Sequence, residues 1–258
     1  MFQAKLHRAA ELKRIIESIK DVVNNVNIEA SPQGLSFQAM DLSHVALVTL
    51  RLDADGFNEY KADKIFTLGV KLQNLNKILK CANSDDLVVL ECEDEPQQLH
   101  IKFESQNGDK ISKFTLNLIQ NDEDKLSIPE TNYSSNLLLP SSEFTRIVRE
   151  LSQLSETVKV TTSKKSVVFS VDGDIGRGEI ELKENGSDNL AQRTEISVDE
   201  DMTASFSLTF LNSFCKASVL SDSVRLLMSG NTPLVVEYKI TNLGVIRYYL
   251  APKLQDDN

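Results

Sequence analysis

The sequence repeats itself, and that repetition limits the fold more than any single motif does. A shift of 132 residues lays Leu12 on Phe144, Arg14 on Arg146, Ile15 on Ile147, Ile16 on Val148 and Ile19 on Leu151. The register continues without a gap through Val26 on Val158, Ile28 on Val160, Leu35 on Val167 and Phe37 on Phe169. A shift of 136 lays Leu72, Leu75, Asn76, Ile78, Leu79 and Lys80 on Leu208, Leu211, Asn212, Phe214, Cys215 and Lys216. Within the first half, a shift of 60 pairs Leu12 with Leu72, Ile15 with Leu75, Ile19 with Leu79, Lys20 with Lys80 and Ile28 with Val88. Any two amphipathic helices can be aligned; three consistent shifts are a stronger pattern, and the chain reads as four copies of one unit.

Each copy holds one helix followed by strands. Leu12, Ile15, Ile16 and Ile19 fall at i, i+3, i+4 and i+7, one face of a helix over 8–20, with Lys13, Glu17 and Lys20 on another face. Phe144, Ile147, Val148 and Leu151 repeat this over 141–153, where Pro140 and then Ser141 or Ser142 with Glu143 predict the helix start. Two shorter helices over 72–82 and 208–217 bury Leu72, Leu75 and Leu79, and Leu211 and Phe214. Alternating β-branched and aromatic residues predict strands over 35–40, 45–52, 87–93, 99–103 and 111–119, with Asn107-Gly108 as a hairpin turn before the last. In the second half they fall over 158–162, 166–171, 178–182, 204–208, 224–229, 234–240 and 245–250. Four helices among more than a dozen strands predict an α+β fold, with helices on one face of antiparallel sheet. The stretch 184–192, ENGSDNLAQ, reads as a mobile polar loop.

The two halves meet in 120–133, QNDEDKLSIPETNY, which holds neither a helical nor a strand period. The expected organisation is a domain over 1–117, a connector over 118–134 and a second domain over 135–258, each domain large enough for its own core. No apolar run reaches the roughly 18 residues of a membrane span, and the start, MFQAKLHRAAELK, has no signal-peptide core, so an intracellular protein is expected. Cys81, Cys92 and Cys215 are odd in number and lack C-x-x-C spacing, which argues against disulfides and thiolate metal sites.

The formal net charge of −10 argues against a nucleic-acid partner until its distribution is considered. The four helical stretches together carry +5, leaving −15 for the rest of the chain. Helices that are apolar below and basic above, without interleaved aromatics, suit non-specific contact with duplex backbone rather than base stacking. If 110–117 and 175–183 are sheet edges, pairing one with the other between chains gives a head-to-tail contact, the kind that closes into rings.

No catalytic, cofactor or metal constellation emerges. Gly173-Asp-Ile-Gly-Arg-Gly178 has the wrong glycine order for a phosphate loop and reads as a turn entering a strand. Ser43 and His44 are neighbours in what reads as an extended segment and would point to opposite faces. His7 and His100 lack ligand spacing, and the acids Glu91, Glu93, Asp94 and Glu95, like Asp172 and Asp174, lack that of a calcium loop.

The stretches MDLSHVALV (40–48), LGVKLQNLNKILKCA (68–82), LPSSEFTRIVREL (139–151), PLVVEYKI (233–240) and YYLAPK (248–253) carry an end-to-end resemblance to the proliferating cell nuclear antigen family, the eukaryotic sliding DNA clamps. The resemblance implies a non-enzymatic nuclear protein with a duplicated DNA-clamp fold. It also implies a homotrimeric ring, with sheets outside and helices lining a channel around duplex DNA. By position it implies that Lys5, Lys13, Arg14, Lys20, Lys77, Lys80, Lys110, Arg146, Arg149 and Lys216 face DNA. A pocket for a peptide with a glutamine and an aromatic pair would use Met40, His44, Val45, Leu47, Leu126, Ile128, Pro129, Pro233, Tyr249, Ala251 and Pro252. Through such motifs the resemblance implies DNA polymerase, clamp loader, flap endonuclease and DNA ligase as partners.

The implied subunit contact sets Ile111, Phe114 and Leu116 against Ile175, Gly178 and Ile180 of the next chain, with Phe114 where the family usually has tyrosine. Lys164 matches the lysine that receives ubiquitin-type modification, and Lys165 follows it directly. The competing reading is a monomeric protein-binding adaptor whose basic helices are only solvated, and mass in solution separates the two.

Overall fold

The computed structural model describes residues 1–121, 126–128, 131–189, 191–230 and 232–253. The four copies appear as four strand–helix–three-strand motifs. The first is β1 (Phe2–Leu6), α1 (Ala9–Ile19), β2 (Asn25–Ser31), β3 (Gly34–Met40) and β4 (Ala46–Asp53), followed by a short β5 (Glu59–Ala62). The second is β6 (Phe66–Lys71), α2 (Leu72–Leu79), β7 (Leu87–Cys92), β8 (Gln98–Glu104) and β9 (Ile111–Asn117). The third is β10 (Ser135–Pro140), α3 (Ser141–Leu151), β11 (Thr157–Thr162), β12 (Ser166–Gly173) and β13 (Gly176–Lys183), followed by a short β14 (Glu195–Val198). The fourth is β15 (Met202–Ser207), α4 (Leu208–Phe214), β16 (Ser223–Met228), β17 (Leu234–Ile240) and β18 (Gly244–Leu250).

The shift of 132 residues carries Ala9–Ile19 onto Ser141–Leu151 end for end. The shift of 60 keeps register, but α2 lacks the first turn that α1 has, since Leu72 answers Leu12 rather than Ala9. All the apolar helix positions expected to face inward are buried. The predicted strands leave out β1, β6 and β10, three of the four strands that run into helices, the short β5 and β14, and β2, which shows only in the alignment of Val26 and Ile28 with Val158 and Val160.

The chain divides into two compact units, Met1–Leu42 with Val48–Leu126 and Ile240–Ile246, and Ser43–Leu47 with Ser127–Lys239 and Arg247–Asn258. In the first unit, one antiparallel sheet has the order β5-β1-β7-β8-β9, and β2 pairs on either side with β3 and β6. In the second, one sheet has the order β13-β12-β11-β15, and another runs β14-β10-β16-β17.

The third helix starts at Ser141, as the Pro140-Ser141 pattern predicts, but none of the four helices has a side-chain N-cap bond. Backbone carbonyls replace it, each from just before the strand that follows the other helix of the same unit. Ala9 N–H donates to Asp86 O at 2.8 Å, and Leu72 N–H to Asn24 O at 2.9 Å. Ser141 N–H donates to Asp222 O, and Leu208 N–H to Glu156 O, both at 2.9 Å. Orphan helix donors are thereby satisfied reciprocally, and each unit is stitched across its own internal repeat. The second unit's core closes on Phe214 stacked with Tyr248, their ring centroids 4.6 Å apart.

The cysteines follow this packing. Cys92 and Cys215 are buried, burial pushes the Cys215 thiol up to about 12, and Cys81 is exposed. A thiol-titrating reagent is expected to consume one equivalent in the native chain and three after denaturation. Rapid reaction of all three in the native state would contradict the burial.

Candidate nucleic-acid interface and partner-peptide surface

Because the apolar stripe of each helix faces its core, the opposite face is left to charged residues. In the first unit α1 packs beside α2, presenting Lys13, Arg14, Lys77 and Lys80; in the second, α3 packs beside α4 and presents Arg146 and Arg149. Lys216 is exposed in the 3-10 turn after α4. These cations are not equally available. Lys5, on β1, pairs with Glu59 at 2.7 Å, Lys20 with Asp21 at 2.9 Å, and Arg146 with Glu143 one turn earlier at 2.6 Å. The Lys13 ammonium donates to the Ala82 carbonyl, joining α1 to the end of α2. Arg14, Lys77, Lys80 and Arg149 are exposed, and their charged groups have no hydrogen-bond or ion-pair partner among the described residues. Lys110 is exposed at the foot of the β8–β9 hairpin rather than on a helix.

Both strands expected at sheet edges are edges. β9 pairs only with β8, and β13 only with β12, so each leaves one row of backbone N–H and C=O groups without a ladder partner in its sheet. Ile111 and Ile175 are exposed, Phe114, Gly178 and Ile180 are half-buried, and Leu116 is buried within its own unit. The Phe114 ring lies 5.6 Å from that of Phe103 on the neighbouring strand. The Gly173–Gly178 stretch is the β12–β13 hairpin, with Gly173 opposite Gly176 and Arg177 paired to Asp172 at 2.9 Å.

The residues expected to bind a peptide fall in both units. Met40 and Leu126 belong to the first; His44, Val45, Leu47, Ile128, Pro233, Tyr249, Ala251 and Pro252 belong to the second. Pro129 lies outside the described residues. In the first unit, the Gln38 side chain on β3 donates to the Leu126 carbonyl at 3.0 Å, and that of Asn27 on β2 to the Asn121 carbonyl at 2.8 Å. Two strand amides thus fasten the start of the connector, a role the sequence pattern did not suggest because both look like ordinary solvated strand positions. In the second unit, Ala251 N–H donates to Val45 O at 3.0 Å, and Tyr249 lies beside Tyr133. Leu126 and Ile128 are 47% and 39% exposed and belong to no helix or strand. Ser43 and His44 lie in a turn rather than an extended segment, His44 with φ of 56°, and no hydrogen bond reaches its ring among the described residues.

Lys164 and Lys165 are both exposed at the tip of the β11–β12 turn, which Ser163 closes by donating its N–H to Ser166 O at 2.9 Å. No group of three or more metal-ligating side chains occurs among the described residues, and no helix is long and apolar enough to cross a membrane.

Comparison with known proteins places this architecture. Residues 1–126 match the N-terminal domain family of proliferating cell nuclear antigen, and residues 127–253 match its C-terminal domain family. Across 258 residues, the whole of both chains, the sequence is 41% identical to the proliferating cell nuclear antigen of Chaetomium thermophilum. With two family domains placed in tandem on a duplicated α+β fold, and a relative matched over its full length, the chain belongs to the proliferating cell nuclear antigen family of DNA sliding clamps.

Proposed function

We propose that three copies of this chain close head to tail into a ring around duplex DNA, and that the ring acts in the nucleus as a processivity platform rather than an enzyme. The observation that carries the reading is the coexistence, in one chain, of recurrent cationic helix faces and of β9 and β13, seven- and eight-residue strands at sheet edges. Neither alone suffices. Cationic helices without edges describe a monomer that touches DNA, and edges without cations describe an assembly indifferent to it. Mass measurement in solution, with and without closed circular DNA, tests the proposal. A trimer retained on circular DNA and released on linearisation supports it; a monomer at micromolar concentration overturns it and favours the adaptor.

On this reading, DNA polymerase, clamp loader, flap endonuclease and DNA ligase dock through short motifs onto the second unit's surface of Val45, Leu47, Ile128, Pro233, Tyr249 and Pro252. Burying one apolar side chain contributes about 1.5–3 kcal/mol, and about 1.4 kcal/mol is tenfold in affinity. Ile128→Ala is therefore expected to weaken a peptide bearing glutamine and an aromatic pair by about tenfold or more, with ring mass and melting temperature unmoved. Calorimetry beside sizing of the same variant checks it. Unchanged peptide affinity with a damaged ring makes Ile128 a packing residue instead.

A further inference from the structure

One acid in the second unit stands where strand chemistry does not favour it. Glu237 lies in the middle of β17 within the apolar run PLVVEYKI and is only 7% exposed. Two arginines reach it from neighbouring strands. Arg225 stands directly opposite it in register on β16, with nitrogen and oxygen 3.9 Å apart, and Arg247 on β18 donates its Nε–H at 2.7 Å. A buried carboxylate requires one such partner; here it has two, and the trio keeps a net positive charge. Both guanidiniums remain partly exposed, 34% and 43%, and each carries more donors than its one contact with Glu237 uses.

The trio faces away from the helices. Tyr248 stacks on Phe214 of α4, which fixes that side of β18 as the helix side. Strand alternation then sends Arg247 and Tyr249 to the other side, so these cations do not serve the surface that α3 and α4 present. Beside them stands Tyr133. Burial, and after it the neighbouring Tyr249, push the Tyr133 hydroxyl up, against a hydrogen bond with Thr131 and the charge of Arg247. Tyr133 and Tyr249 therefore stand near Arg247, and Tyr249 is one of the residues assigned to the partner-peptide surface.

We propose that Arg247, backed by Arg225 and held in place by Glu237, reads a carboxylate side chain in the docked peptide, so that this chain selects motifs carrying an aspartate or glutamate near the aromatic pair. The inference rests on the peptide-docking reading above. A guanidinium already oriented by a buried acid loses little freedom when it meets a second carboxylate, and its planar fork matches that group in a way an ammonium does not. The peptide's own aromatic pair brings its acid beside the cations, which makes the contact effectively intramolecular.

The test uses the full chain and synthetic peptides with the glutamine-and-aromatic motif. A single Asp is walked through the positions flanking the aromatic pair, and each peptide is matched to its Asn twin. In at least one register the Asp peptide is expected to bind the parent about tenfold tighter than its twin, which is about 1.4 kcal/mol. Arg247→Gln brings that ratio close to one while leaving the Asn peptide's affinity unchanged, and Arg247→Lys restores part of it. Arg225→Gln, which spares the closer ion pair, lowers the ratio by less, and melting curves accompany each variant. A ratio unchanged by Arg247→Gln, equal weakening of both twins, or no register favouring Asp overturns the proposal while peptide docking stands. Failure of every motif peptide to bind the parent removes the docking reading and this inference with it.

Discussion

Replacing Arg14, Lys77, Lys80 and Arg149 together by glutamate is expected to lower affinity for duplex DNA by about a hundredfold or more at low salt. The change moves the formal net charge from −10 to −18. These four are chosen because the structure leaves them without an acidic partner among the described residues, whereas Lys5, Lys20 and Arg146 each already face a carboxylate. An ammonium held by a neighbouring acid releases fewer counterions on meeting phosphate, since part of its field is already neutralised. Reversing those three is therefore expected to weaken binding much less than reversing the other four. The slope of log affinity against log salt should flatten by about one unit for each phosphate that is no longer neutralised, equally for every DNA sequence tried. Equal weakening from the two sets, or weakening confined to one sequence, would mean that the helices do not ride on phosphates.

Spacing alone does not give that ranking. The helical period makes the faces legible because Leu12, Ile15, Ile16 and Ile19 and their repeats obey 3.6 residues per turn, and the charges on the remaining faces can be counted. Lys20 with Asp21 and Arg146 with Glu143 are pairs between near neighbours in sequence, but Lys5 with Glu59 is a contact across β1 and β5. Register settles such contacts, and one sequence does not print the register.

The strands that feed the helices are hidden for a related reason. β6, FTLGVK, passes into α2 with no break, and Gly69 in its middle weakens any strand signal. The glycine is required there, because a Cβ at position 69 would lie 1.8 Å from the Ile119 carbonyl oxygen. Ser141 does not act as a side-chain cap because it is itself the first helical residue, and its own N–H is taken up by the Asp222 carbonyl. The Arg225–Glu237–Arg247 trio escapes notice because its members are three separate polar residues until the sheet assembles.

Truncating Phe114 to alanine is the second large effect. β9 and β13 each have one free ladder, and the proposed ring sets the β9 of one copy against the β13 of the next. Phe114 is half-buried against Phe103 in the isolated chain, so removing its ring strips an aromatic from the subunit contact and leaves Phe103 poorly covered. Removing a buried aromatic of this kind costs about 2–4 kcal/mol per interface. That corresponds to roughly thirty- to several-hundredfold in each association constant. A three-membered ring repeats the same interface at every junction, and light scattering on a dilution series should find the variant dissociating at far higher concentration than the parent. Leu116, two residues along, provides the comparison. It is already buried in its own unit, so Leu116→Ala is expected to lower the melting temperature first and ring mass only as a consequence. If Phe114→Ala remains a trimer at nanomolar concentration, β9 does not form the subunit interface, and the partner of its open edge lies outside the ring.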